Sequence, residues 1–517
     1  MSKDTSDLEK KLAARERRIL QGDAKAVEKQ HGEGKLTARE RIEKLLDPGS
    51  FVEEFMLAET QSTDFGMAEK RQPTDGVVTG HGKIDGRSVY LFAQDRTVLA
   101  GTVGSAHAEK IAYVIQTARK LGTPLIGLYD SVGARIQEGL SVTTAIGKIF
   151  FENSISSGVI PQISAIMGPC IGVASYSPAL TDFLIMVQGS SQMFITGPPV
   201  IKEVLGEEIS MEELGGSKVH SEVSGVADLT AKSDEDCLSV TRRLLSFLPS
   251  NYQLPPPRRE PRDDPGRSLD AMDRLVPQEM RKAYNVVQVI KALVDDGDFL
   301  ELKGKFARNL VIGLGRLHGY PAGFVANQPM FLAGSLDVDA SDKAARFIRF
   351  CDAFNIPVIT LMDVPGFFPG KQQEEKGIIR HGAKLLYAYA EATVPKITVV
   401  LRKGYGGAKQ AMCTREMGAD QFFVWPGVEL AVMGGGGAVN VIFRREIEQS
   451  EDPEKTRRRK MEEYSERFSG PFEALSKQFA HAAIRPDETR RRLIQALEIL
   501  REKKEERPRK KHGVMPV

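Results

Sequence analysis

Four glycine-bearing turns are the parts of this chain whose residue types and spacing could do chemistry. They are Ala100-Gly101-Thr102, Gly168-Pro-Cys-Ile-Gly172-Val173, Ala333-Gly334-Ser335 and Gly404-Tyr-Gly406-Gly407-Ala408. Each closes a β-rich run and opens a helical pattern. The first amides of a helix have no preceding carbonyl to bond, and they lie at the positive end of the helix dipole. Two such N–H groups converging on one oxygen make an oxyanion hole, and small residues beside them let a ligand approach the backbone. The implied chemistry is stabilisation of an anion formed from a carbonyl. No Ser-His-Asp, Cys-His or metal-ligand set accompanies the turns, so no side-chain nucleophile and no metal site are expected. His220 and His381 each lack a partner carboxylate at helical spacing and read as structural histidines. Gly434-Gly-Gly-Gly437 lacks the Lys-Ser/Thr of a phosphate loop and reads as a packing turn.

The turns come in pairs because the chain contains itself twice. Gly82-Lys-Ile-Asp-Gly86 recurs as Gly315-Arg-Leu-His-Gly319, an offset of 233 (315 − 82). At that offset Leu99-Ala100-Gly101-Thr102 falls on Leu332-Ala333-Gly334-Ser335, Glu109-Lys110 on Asp342-Lys343, Asp130 on Asp363, and Gly133 on Gly366. Further on, Gly172-Val173 aligns with Gly407-Ala408. Two homologous domains, with two related sites per chain, are the expectation.

The elements that must position these turns follow from patterning. Short β-rich runs at 89–93, 125–128 and 163–166 alternate with helical stretches such as 106–121, and the second copy repeats this with strands at 323–327, 358–361 and 397–401 and helices at 341–354 and 381–391. That is an α/β fold. Residues 7–46 read as helix, with a capping box at Thr37-Ala-Arg-Glu40. Leu254–Gly266 holds five prolines, Pro255, Pro256, Pro257, Pro261 and Pro265, and forms the heart of a linker over 254–274 between domains at 1–253 and 275–517. The last stretch is helical and charged, and its basic tail Lys503–Lys511 reads as a solvated face or an interaction arm. A length of 517 residues, 41% hydrophobic and 27% charged, with net charge +2, describes a soluble globular protein with no general affinity for nucleic acid or membrane surfaces. Cys170, Cys237, Cys351 and Cys413 are too dispersed for a zinc site or a disulfide framework. No apolar leader or spanning run is visible, and a cytoplasmic enzyme is expected.

Longer strings carry a resemblance. Lys35-Leu-Thr-Ala-Arg-Glu-Arg41, Asp75-Gly-Val-Val-Thr-Gly80, Ala134-Arg-Ile-Gln-Glu-Gly139, Tyr176-Ser-Pro-Ala-Leu-Thr-Asp182, Asp363-Val-Pro-Gly-Phe367 and Gly377-Ile-Ile-Arg-His-Gly-Ala-Lys-Leu385 resemble the carboxyltransferase (β) subunits of biotin-dependent acyl-CoA carboxylases, of the propionyl-CoA carboxylase type. The resemblance implies two crotonase-like ββα-superhelix domains. It further implies carboxyl transfer from carboxybiotin to the α-carbon of an acyl-CoA, a partner α subunit with biotin carboxylase and biotin carboxyl carrier functions, and a hexamer built as a trimer of dimers. Gly172 and Val173 would hold one anion and Gly407 and Ala408 the other, with the first hole assigned to the thioester. Ala100, Gly101, Thr102, Gly133, Ala134, Arg135 and Gln410 would border the acyl-CoA, Arg135 meeting either a phosphate or a salt-bridge partner. Ala333, Gly334, Gly366, Phe367, Gly377 and Ile378 would flank biotin.

Departures from the family pattern cluster at the site. Its usual Gly-Gly is Gly172-Val173 here, where a β-branched side chain is expected to narrow the pocket. Its Gly-Gly-Ala-Tyr-Asp is Gly406-Gly-Ala-Lys409-Gln410. Two further readings stand beside the carboxylase: the carboxyltransferase subunit of a sodium-pumping acyl-CoA decarboxylase, which runs similar chemistry backwards, and, because the first hole is altered, a non-catalytic assembly subunit.

Overall fold

Runs such as Leu125–Ser131 and Val358–Val364 are buried along their whole length, as strands covered on both faces must be. Each lies at the centre of an eight-stranded sheet in the computed structural model, which describes residues 5–270, 272–468 and 470–517. The chain divides into two units, Met1–Leu254 and Pro255–Val517.

The first unit holds β1 (Val52–Glu54), β2 (Val77–Ile84), β3 (Arg87–Gln94), β4 (Leu125–Ser131), β5 (Gln162–Ile171), β6 (Phe183–Val187), β7 (Gln192–Phe194) and β8 (Leu229–Ala231). Their order is β1-β2-β3-β4-β5-β6-β8, with β7 beside β5. Strands β1 to β3 are antiparallel neighbours, and from β3 onward every pairing is parallel. The second unit repeats this with β9 (Phe299–Leu302), β10 (Leu310–Leu317), β11 (Tyr320–Asn327), β12 (Val358–Val364), β13 (Lys396–Tyr405), β14 (Gln421–Val424), β15 (Glu429–Ala431) and β16 (Ala482–Ala483), in the order β9-β10-β11-β12-β13-β14-β16 with β15 beside β13. Helices Ser105–Leu121 and Leu140–Ser156 pack together in the first unit, and Val338–Ala353 and Ile378–Glu391 do so in the second. A lysine on the later helix of each pair meets a carboxylate on the earlier: Lys148 with Glu109, and Lys384 with Asp342.

The continuous helix expected over 7–46 is three, Thr5–Gln21, Ala24–Gly32 and Ala38–Leu45. Gly22 and Gly34 take positive φ at the breaks, and the Thr37/Glu40 capping box starts the third helix. The proline-rich stretch belongs to the second unit: Arg259 N–H donates to Gly319 O, and Arg267 pairs with Asp263 while bonding the carbonyls of Ala292 and Val294. Nor is the basic tail a solvated arm. Lys503 pairs with Asp420, Arg507 donates to the carbonyls of Ala390, Glu391 and Ala392 at the end of a helix, and Lys510 pairs with Glu391. Cations are drawn there because the last carbonyls of a helix have no partner and carry its negative dipole.

Candidate functional site

In each unit the turns gather at the C-terminal ends of three adjacent parallel strands. Strand β3 runs into Leu99-Ala100-Gly101, all three at positive φ (50°, 53° and 65°), before the Ser105 helix begins. Strand β11 runs into Leu332-Ala333-Gly334 at 46°, 53° and 78°. Left-handed non-glycine residues cost about 1–2 kcal/mol each, and such strain persists only where surroundings enforce it. Glycine is required at the third position: a Cβ on Gly101 would lie 2.5 Å from Asp130 O, and one on Gly334 2.9 Å from Asp363 O. The loop after the central strand is stitched to the same turn. Val103 N–H donates to Gly133 O and Leu336 N–H to Gly366 O, giving matched bridges Val103–Ala134 and Leu336–Phe367.

The second turn of each unit follows β5 or β13. Gly172, at φ 69°, leads a single 3-10 turn, Gly172–Ser175; Gly406, at 57°, leads the short helix Gly406–Ala411. Ile171 and Tyr405 are matched strand ends, pairing with Phe194 and Ala431. The offset is therefore 234 (405 − 171), which corrects the alignment read from the sequence: Gly172 matches Gly406 and Val173 matches Gly407. Gly407, exposed, and Ala408, buried, both lie in the first turn, where amides lack an i−4 carbonyl.

Beside the turns of each unit a buried carboxylate is pinned. Where β4 advances from Tyr129 to Ser131, β5 advances from Ile166 to Cys170; β12 and β13 show the same irregularity between Met362 and Val364. The residues opposite these bulges are Asp130 and Asp363, both fully buried. Asp130 meets Lys35 Nζ at 2.8 Å and Arg41 Nη1 at 3.0 Å, whereas Asp363 meets Arg402 Nε at 2.9 Å. Arg402 occupies the position matched by Gly168, and a Cβ on Gly168 would lie 1.9 Å from Asp130 Oδ1. Glycine there makes room for cations delivered from far upstream. Burial lowers the Lys35 pKa despite Asp130.

Arg135 lies in the salt-bridge arrangement of the two open to it. Its side chain is 2% exposed; it bonds Asp75 at 2.6 Å, Glu138 at 2.9 Å and Thr102 O at 2.8 Å. Glu138 also accepts from Ser105 N–H, and Asp75 from His107 N–H, so the cluster caps the helix that the Ala100 turn opens. Burial raises the Glu138 pKa, but the Ser105 bonds together with Thr60 and Arg135 outweigh it and leave the group lowered. His107 is sealed and neutral, its pKa pushed down to about 3 by burial. Val173 is half-buried and packs against the first unit's core. Gln410 is half-buried and accepts from Thr414 Oγ1. Lys409, half-buried, has its pKa lowered by burial, with Glu416 opposing. Phe367 packs against Gly382 of the Ile378–Glu391 helix, which Gly377 caps, and approaches Gly407. His220 is satisfied by Met193 O and Ser224. His381, by contrast, does have a carboxylate partner: Asp342, 2.7 Å away on the neighbouring helix. Gly434 caps the helix Gly435–Ile442. Sequence reasoning missed Gln94 and Asn327, both buried at the ends of β3 and β11, although the 233 offset already paired these two amides.

Two sheets of one topology, each closing on a pair of glycine turns beside a buried aspartate, define a two-domain crotonase-like protein. Residues 29–515 match the carboxyl transferase domain family, and the chain belongs to it. It is 51% identical over 503 residues to the propionyl-CoA carboxylase carboxyltransferase subunit of Haloferax mediterranei, covering 97% of this chain and 98% of that one. It is 49% identical over 516 residues to the methylmalonyl-CoA decarboxylase subunit alpha of Propionigenium modestum, covering 100% and 99%. A crystal structure of the transcarboxylase 12S hexamer, with methylmalonyl-CoA and methylmalonic acid bound, superposes with TM-score 0.97 at 48% identity, covering 100% of this chain and 99% of that one. Among the described residues no helix is long and apolar enough to cross a membrane.

Proposed function

We propose that this chain is the carboxyltransferase subunit that moves a carboxyl group from biotin, carried on a partner α subunit, to the α-carbon of a short acyl-CoA in the cytoplasm. The observation that carries the reading is the duplicated hole: two anions arise in such a transfer, the thioester enolate and the ureido oxygen of biotin, and each unit offers one set of first-turn amides. Gly172 and Val173 hold the thioester oxygen, and Gly407 and Ala408, one position further along the matched turn, the ureido oxygen. A small, largely apolar pocket lined by Gln94, Val103, Tyr129, Ile146, Phe150 and Ala174 lies in the first unit. The second crevice fits a flat ring: a Cβ on Gly366 would meet nothing within 4 Å, and one on Gly407 only Phe367 at 4.0 Å. Carboxybiotin, when bound, supplies the carboxyl group and then the base. The chain's own residues bind, orient and neutralise charge; the sealed His107 and the paired Asp130 and Arg135 are scaffolding. Val173 keeps a backbone amide while its side chain packs inward, which favours a working hole over an assembly role.

Each unit also presents one apolar triad beside its hole, Ile195, Val204 and Leu205 in the first and Val432, Val441 and Ile442 in the second, all 59–77% exposed. These matched surfaces support an oligomer in which the first domain of one copy faces the second domain of another, within a hexamer. Relatives of equal identity carry decarboxylase names, so the same machinery run in reverse is the second reading. The test is an acyl-CoA panel with a purified biotin carboxylase and carrier: α-carboxylation of one class supports the reading, and carrier binding without transfer to any of them refutes it.

A further inference from the structure

An oxyanion hole holds its anion between its donor amides and the wall of the site that faces them, and its strength depends on the gap between the two. In the first unit the bordering Leu-Ala-Gly turn follows β3 and the donor turn follows β5, with β4 between them; in the second they follow β11 and β13, with β12 between. The gap is therefore set by how each Leu-Ala-Gly turn is fastened to the central strand. Besides the backbone bridges Val103–Ala134 and Leu336–Phe367, that fastening includes one side-chain amide per unit. Gln94 Oε1 accepts from Asp130 N–H at 3.1 Å, and Asn327 Oδ1 accepts from Asp363 N–H at 3.1 Å. Asn327 Nδ2 then donates to Gly334 O at 2.9 Å, within the strained turn itself. Gln94, one methylene longer, donates instead to His107 Nε2 at 3.2 Å, in the first turn of the helix that follows the equivalent turn. His107 Nδ1–H in turn donates to Asp75 O, so its Nε2 is the acceptor. The clips are 2% and 0% exposed, and the Asp carboxylates they neighbour are held in place by Lys35 and Arg41, or by Arg402.

We propose that Gln94 and Asn327 are matched positioning residues: Asn327 clamps the strained turn of its unit to the bulge-facing aspartate, Gln94 does the same through His107 in the helix that its turn opens, and each so fixes how far the turn bordering the ligand stands from the donor amides of its hole. Both are buried and act through the elements they hold. Loosening a clip should weaken binding of an anion at the hole while leaving ground-state binding of coenzyme A intact, because complementarity to the anion is what the geometry provides. The inference rests on the assignment of the thioester to the first unit.

The test uses the full-length protein and two probes that need no carrier: a CoA thioether lacking the carbonyl, and a CoA analogue carrying a nitronate anion in its place. Calorimetry measures both affinities for the unaltered protein, Gln94→Met and Asn327→Leu, with thermal melting as the fold control. Gln94→Met should lose tenfold or more in nitronate affinity and stay within twofold for the thioether, while Asn327→Leu changes neither. Should Gln94→Met fail to fold, Gln94→Asn, too short to reach both partners, should show the same selective loss. Equal losses for both probes, or no loss for either, overturn the proposal. Selective loss in Asn327→Leu instead supports the clip and reverses the assignment of anions to holes. An unaltered protein that binds both probes equally has no thioester hole in either unit, which ends the functional reading and this inference together.

Discussion

Replacing Ala408 with proline isolates the backbone donor of the second hole. Ala408 is the third residue of the helix Gly406–Ala411, so its N–H has no intrahelical carbonyl to lose, and the substitution removes a free donor without breaking a helical bond. The flanking Gly407 is the residue most able to absorb the restriction that proline places on its predecessor. Loss of one donor from such a hole costs about 100-fold to 1000-fold in turnover, or about 2.7–4 kcal/mol. Ala408→Gly keeps the donor and costs only about 1 kcal/mol of helix propensity. Steady-state transfer from a saturating carboxylated carrier, alongside thermal melting, separates the two. Ala408→Pro should fold and turn over at least 100-fold more slowly with KM for acyl-CoA little changed, and Ala408→Gly should stay within about threefold of the unaltered protein. A folded Ala408→Pro protein with normal turnover refutes the role given to this amide.

Three further outcomes are expected. His107 titrates near 3 in the fold against 6.5 when exposed, so the unfolded state binds the extra proton between those values and stability falls on acidification from pH 6.5. The loss is about 1.4 kcal/mol per pH unit, about 2 kcal/mol by pH 5, and chemical denaturation of His107→Gln should lack that slope; parallel pH profiles would rule it out. Glu391 is held near pKa 2, burial opposing while Lys510, Arg349 and Tyr387 stabilise the carboxylate, so its contribution is complete above pH 4.5 and lost on acidification toward 2. Glu391→Gln should lower Tm at pH 7 and converge with the unaltered protein near pH 2–3, whereas an unchanged Tm at neutral pH would mean the tail is not fastened there. Gln410→Ile should shift the ratio of kcat/KM between short and longer acyl-CoAs by about tenfold, since desolvating an amide against an apolar tail costs about 1–3 kcal/mol; an unchanged ratio moves selectivity to Val173 or the pocket beside Ala174.

The internal repeat made most of this architecture readable, because a strand and its matched partner must end at matched depth in equivalent sheets. It carried Gln94 onto Asn327, Asp130 onto Asp363 and the strained Leu-Ala-Gly turns onto each other. It slipped by one residue at the holes, where Gly172 was drawn to the second of two adjacent glycines; strand ends and positive φ select the first, Gly406. Pairings across long sequence separations left no trace in spacing. Lys35 and Arg41 reach Asp130, while Asp363 finds Arg402 on the adjoining strand. His381 and Asp342 meet only because two helices pack. The tail looked solvated because its partners, Asp420, Glu391 and the carbonyls at the end of the Ile378–Glu391 helix, lie far away in the sequence.

A single-turnover mixing experiment tests the central claim most directly. Carrier bearing a 13C-carboxyl group on biotin is mixed with this protein and a short acyl-CoA, quenched on the millisecond to second scale, and read by mass spectrometry. The label should leave the carrier and arrive at the α-carbon of the acyl-CoA in equal amounts and at one rate. Loss of the label as free bicarbonate, with the acyl-CoA unchanged although both ligands bind, would contradict the account.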